Sequence, residues 1–189
     1  AALGAPPGIT IAPRIDHAAK TITFEVKLFL YPSCAYPPNC PVSQDVVERI
    51  SSNINDAWNN GLKFKCYTIV IDLRIARGES RIGLVDEVGA RIDVSPAPIR
   101  SQVSTVDGGH WAASGPSDRG LPTNDGQTIW GSPPMSTNTY AHEFGHVLGL
   151  DDGYQDVDGV AVDRPGAPHD LMSTGMLESN AISQKTIDQ

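Results

Sequence analysis

Residues 141–154 read AHEFGHVLGLDDGY, and the rest of the chain is best read outward from them. His142 and His146 stand four apart, with Glu143 directly after the first. On a helix, positions i and i+4 share a face, so both imidazoles can reach one ion. Glu143 sits one step round, where its carboxylate can reach a water at that ion without being a ligand. A chain with five His and six Glu in 189 residues acquires this HExxH spacing by accident in only ~0.4% of cases, which disfavours incidental histidines. Zinc in a catalytic site needs a third protein ligand and an open position. Two adjacent aspartates, Asp151 and Asp152, follow as candidates.

The longer string is His142-Glu-Phe-Gly-His146-Val-Leu-Gly149-Leu-Asp-Asp152. It resembles the metzincin signature HExxHxxGxx(H/D), in the form with an aspartate at the last place that snapalysin-type bacterial peptidases carry. The resemblance implies that Gly149 turns the chain sharply and that the third ligand is Asp152, three residues on, with Asp151 left to solvent or to a cap. Asp152-Gly153-Tyr154 is similar to the Asp-x-Tyr continuation of the same peptidases. DLMSTGM (170–176) resembles the turn that places a methionine beneath the zinc, with Met172 at that position and Met176 as the alternative. Some metzincins carry a tyrosine two residues after this methionine. Here the place is Thr174, so transition-state support falls to Tyr154 or Tyr140.

Other ligand sets compete. His169 could close the site along a different chain path, and Glu178 could serve as the glutamate of a gluzincin, although Pro165 and Pro168 interrupt the helix that clan uses. His17 and His110 read as isolated surface or hydrogen-bonded histidines. DDGYQDVDG mixes aspartate and glycine as calcium loops do, but lacks the full register, with Tyr154 at the first place and Pro165 at the twelfth. A structural Ca²⁺ stays open as a second cofactor beside Zn²⁺.

The implied activity is that of a zinc endopeptidase. His142, His146 and Asp152 hold the metal, which activates a water for attack on a peptide bond, and Glu143 is the general base. Protonation of the histidines makes activity fall at mildly acidic pH. An effector domain with one narrow protein target is a second reading. A binding module with purely structural zinc is a third, disfavoured because closed structural sites have four protein ligands.

Composition bounds the remaining possibilities. The net charge of −8 and pI near 4.9 argue against a nucleic-acid surface or an anionic-membrane binder. The implied partner is a protein or peptide substrate, and the chain reads as a monomer. No stretch reaches the ~18 apolar residues of a membrane span. Cys34, Cys40 and Cys66 are an odd count, which reads as one disulfide and one spare thiol, Cys34–Cys40 or one of them with Cys66. A disulfide favours a secreted, extracellular protein.

TITFEVKLFLY (21–31) alternates as a strand does. SQDVVERISSNINDAW (43–58) places Val46, Val47, Ile50, Ile54 and Trp58 at helical spacing behind Ser43 as N-cap, and Asn60-Gly61 ends it. FKCYTIVIDLRI (64–75) reads as one strand, with shorter ones within 81–88, 90–95, 100–106 and 126–130. Residues 1–14 read as an irregular arm and 107–126 as loop, of which 114–126 could rim the site. The active-site helix begins near 136–138 and runs to Gly149. After Leu150 little regular structure is expected before a short helix near 178–188. This order predicts an α+β domain over 1–189, and the resemblance makes it metzincin-like: a mixed twisted sheet with two helices, an active-site cleft, an N-terminal subdomain (15–149) and a small, mostly irregular C-terminal one (150–189). By the same analogy a strand between 81 and 112 borders the cleft.

Overall fold

A computed structural model describes residues 13–32, 41–78, 90–94, 129–131, 138–178 and 181–187. Its centre is β2 (Thr21–Pro32), which pairs in parallel with β4 (Tyr67–Arg77) from Thr21↔Thr68 to Leu30↔Arg77. Parallel neighbours need a crossover, and α1 (Gln44–Trp58) supplies it. On the other side of β2 lie β5 (Ala90–Val94) and then β6 (Ile129–Trp130), both parallel. Two short antiparallel strands complete this six-stranded mixed sheet: β1 (Pro13–Asp16) against β2 and β3 (Lys63–Phe64) against β4.

The period-2 pattern of β2 turns Val26, Leu28 and Leu30 toward the helices, where they join Ile69 and Ile71 of β4. Helix α1 closes over them with Ile50, Ile54, Ala57 and Trp58, all essentially inaccessible. Ser43 caps it by accepting a bond from Val46 N at 3.3 Å. At the other end, the Asn59 amide bonds the N–H and C=O of Ile71 at 2.8 and 3.0 Å, standing in for a neighbouring strand.

Helix α2 (Thr139–Val147) packs on α1, with Trp58 Nε1 donating to Ala141 O at 2.9 Å and the Trp58 and Phe144 rings meeting edge-on. Every residue from Tyr140 to Val147 is buried, including His142, Glu143 and His146. Ionisable groups inside a core are costly unless they are paired or bind metal, so this helix marks the site by burial alone.

Several expectations need correction. Residues 13–16 are a strand, although the arm was read as irregular to 14: all four are exposed, so no hydrophobic pattern announces them. The strand read over 64–75 is two, broken by the turn at Lys65 and Cys66, with Lys65 at a φ of 55°. The region after Leu150 is more regular than expected. It contains a hairpin of β7 (Tyr154–Val157) and β8 (Val160–Asp163) and a 3₁₀ turn (Thr174–Leu177), while α3 (Gln184–Ile187) lies where the short helix near 178–188 is expected. Asp158 and Gly159 both have positive φ, the requirement of a type I′ hairpin turn. Asp156 and Asp158 of DDGYQDVDG thus belong to a hairpin, and Asp156 Oδ1 is committed to Gly159 N at 2.8 Å.

β5 pairs with β2 along its length and with β6 at Asp93 and Val94, and the rest of 81–112, where a cleft-bordering strand is expected, lies outside the described residues. The readings at 81–88, 100–106 and 107–126, the rim loop and His110 lie outside the described residues. So do Cys34 and Cys40, while Cys66 is an exposed free thiol. No helix among the described residues is long and apolar enough to cross a membrane.

Candidate metal centre

Helix α2 ends in a Schellman motif: Leu150 N–H bonds Gly145 O and Gly149 N–H bonds His146 O, each at 3.0 Å. The motif needs a left-handed residue, and Gly149 supplies it with a φ of 92°. The reversal has a chemical consequence. It carries the Leu150 carbonyl back to His146, whose Nδ1 donates to it at 2.9 Å. His142 Nδ1 donates likewise to Leu171 O at 2.7 Å. A carbonyl only accepts, so both protons sit on Nδ1 and both Nε2 lone pairs face inward.

The inward atoms converge. His142 Nε2 and His146 Nε2 are 3.1 Å apart, and Asp152 Oδ1 lies 3.2 Å from each. Among the described residues this is the group of histidines and acids that can hold a metal ion. Tetrahedral bonds of 2.0–2.1 Å imply donor–donor edges of about 3.3 Å, close to this triangle. Asp152 Oδ1 is closed off from solvent and faces the two imidazole nitrogens. Two lone pairs and a carboxylate facing one point call for a positive charge, so the residues fit a metal.

Without metal, a proton must serve. Burial works against a charged His146, but the Asp152 contact and the nearby Glu143 charge outweigh it and raise its pKa. Burial would likewise raise Asp152, yet the bonds from His142 and His146 hold it well below the usual carboxylate range. Glu143 is only 6% exposed, and its carboxylate acts on His146 through charge.

Met172 lies under the helix, its thioether against Gly145. Met176 is only partly buried, and its carbonyl takes a bond from Asn138 Nδ2 at 2.7 Å. The Tyr154 ring stands beside His142, 6.3 Å between centroids. Tyr140 points elsewhere: its hydroxyl donates to Gly131 O at 2.8 Å, and burial pushes its pKa up to about 12 against a smaller opposing effect of Arg49. Asp151 is exposed. His169 and Glu178 contact each other at 3.4 Å, with Asp163 on the other imidazole nitrogen at 2.9 Å. His17 meets the Tyr67 hydroxyl at 2.7 Å.

Sequence reasoning missed Asp170 and Ser173, both buried. Asp170 Oδ1 accepts from Met172 N, and Ser173 Oγ bonds both the N–H and the carbonyl of Asp170. The available signal was an aspartate three residues before a serine at a turn, the pattern of a side-chain-capped loop. Comparisons with family models, curated proteins and solved structures found no match.

Proposed function

We propose that this chain is a zinc-dependent endopeptidase of metzincin type. The observation that carries the reading is the buried carboxylate of Glu143 on the same helix as His142 and His146, one residue past the first. Two imidazoles and one carboxylate also suit ferrous iron. Glu143 is what favours hydrolysis, because a metal-holding triad has no need of a second acid buried beside it.

His142, His146 and Asp152 would hold the ion, which when bound supplies Lewis-acid polarisation and a lowered pKa for water. Glu143 takes a proton from the attacking water and returns it to the amine that leaves as the C–N bond breaks. The Tyr154 ring lies beside His142, and its hydroxyl would serve the oxygen that gains charge during attack. Leu150 O and Leu171 O keep both imidazoles in the tautomer that presents Nε2.

The test is digestion of a proteome-derived peptide library by the zinc-loaded protein and by Glu143→Ala, read by mass spectrometry. Cleavage by the parent alone supports the reading and identifies the base. Absence of cleavage by a parent that binds one zinc would sink it in favour of a structural metal.

A further inference from the structure

We infer that Asp170 is a positioning residue for the metal centre, through which the C-terminal segment 181–187 sets the orientation of His142. The inference rests on the metal centre proposed above, but not on its being a peptidase.

Asp170 is 5% exposed and belongs to no ligand set. Its two oxygens collect donors from two separate parts of the chain. Oδ1 accepts from Met172 N at 2.9 Å, while Oδ2 accepts from Ser183 N at 2.9 Å and Thr186 Oγ1 at 2.6 Å. Ser183 and Thr186 are tied together in turn, Thr186 N donating to both Ser183 O and Ser183 Oγ. The residue between Asp170 and Met172 is Leu171. Its N–H is held by Ala181 O at 3.0 Å, and its carbonyl accepts the His142 Nδ1 proton at 2.7 Å.

Leu171 is therefore fixed from both sides by the carboxylate's own backbone and by the C-terminal segment. A buried carboxylate with three donors is a rigid anchor, since charge-assisted bonds are stronger than neutral ones. Movement of the Leu171 carbonyl by ~1 Å would take it out of hydrogen-bond range of Nδ1. His142 would then be free to rotate or to carry its proton on Nε2, where it blocks a metal. The His146 counterpart, Leu150 O, comes from the helix's own cap and needs no such support. The two ligands on α2 are thus held by independent devices, one local and one reaching to the C-terminal helix.

The experiment measures zinc affinity at neutral pH by competition with a chromophoric chelator, for the full chain and three variants. Asp170→Asn puts a donor where an acceptor oxygen now meets donors. Thr186→Val removes one of those donors and keeps the shape, which covers the case in which the first variant fails to fold. Ser43→Ala weakens the α1 cap, away from the centre. Loss of outer hydrogen-bond support weakens metal binding by roughly 10–100-fold, expected for Asp170→Asn. Thr186→Val should show a smaller loss in the same direction and Ser43→Ala none. Imidazole NMR of the loaded parent should show a slowly exchanging His142 Nδ1 proton that exchanges faster in Thr186→Val. Unchanged affinity in both site variants overturns the inference, as does an equal loss in Ser43→Ala. A parent that binds no zinc overturns the metal centre itself, an outcome distinct from either.

Discussion

Met172 rests its sulfur in the notch that Gly145 leaves in α2: a Cβ on Gly145 would stand 2.3 Å from Sδ and 2.8 Å from Cε, with Trp58 Cζ2 at 3.1 Å. Gly145 lies in the turn between His142 and His146, so methionine and ligands share one piece of helix. The close approach uses what glycine lacks rather than an unusual backbone angle.

Gly145→Ala should therefore destabilise the protein. Alanine gains about 1 kcal/mol of helix propensity, but overpacking a tight core costs about 1–3 kcal/mol. The steric term wins because Met172 is 2% exposed and has little room to retreat. Combining Gly145→Ala with Met172→Ala should recover part of the loss, since residues in contact are not additive. Denaturant unfolding of the four proteins of this cycle tests it. Strict additivity would show that the two residues do not press on each other.

The pH dependence should reverse sign with metal. In the metal-free protein the pKa of His146 is raised above its ordinary 6.5. The stability it contributes is complete below 6.5 and disappears as pH rises through the higher folded value. Asp152 is depressed, so its contribution is present above its ordinary 3.8 and lost as pH falls through the lower folded value. Metal-free protein should thus be stabilised on acidification from pH 8 to 6. The zinc-loaded protein should behave oppositely, because proton and metal compete for the same Nε2 lone pair. Thermal unfolding of both forms over this range decides the matter, and parallel curves would contradict it.

The C-terminal region has its own pH-sensitive fastening. Asp163 Oδ1 accepts Thr174 N and Thr174 Oγ1 at 2.9 and 2.7 Å, tying β8 to the turn that follows Met172. Its Oδ2 meets His169 Nδ1, which with the Thr174 bonds lowers Asp163 to about 2. Asp163 and then Glu178 raise His169 above 6.5. The sign follows for each: the His169 contribution is full below 6.5 and lost as pH rises past its folded value, while that of Asp163 is full above 3.8 and lost toward 2. The fastening is complete between about pH 4 and 6.5. An NMR titration of the His169 ring should give a value above 6.5 that falls back in Asp163→Asn. An unshifted ring in the parent would contradict the contact.

What the sequence reveals and hides follows from where the information lies. The i, i+4 histidines, the apolar stripe of α1 and the alternation of β2 are written in side-chain types, and each places an element correctly. The β7–β8 hairpin is not: Val157, Val160 and Val162 are all about half exposed, so its apolar residues line no buried face and make no period. Its one local signal is Asp158-Gly159 between valines, the residue pair of a tight hairpin turn. The two carbonyls that orient the imidazoles carry no side-chain signature at all. Leu150 O and Leu171 O would be the same atoms on any residue, and only the chain path brings them to His146 and His142. Asp170 is the intermediate case, an aspartate whose importance depends on a helix more than ten residues later.

Tyr154 and Tyr140, alternatives in the sequence, differ in what they touch. Tyr154 has its ring beside His142, whereas Tyr140 is sealed against Trp130 with its hydroxyl on Gly131 O. If the chain is a peptidase, Tyr154→Phe removes a donor to the developing negative charge and should lower kcat by about 10²-fold. KM should change little, because the bond strengthens only in the transition state. Tyr140→Phe removes the hydrogen bond to Gly131 O and should cost about 1 kcal/mol of stability, with kcat/KM unchanged in the protein that remains folded. Steady-state kinetics on one peptide substrate, beside unfolding curves for both variants, give the comparison. Equal kinetic losses in the two would mean that both act through the packing of α2 and that neither hydroxyl reaches the substrate.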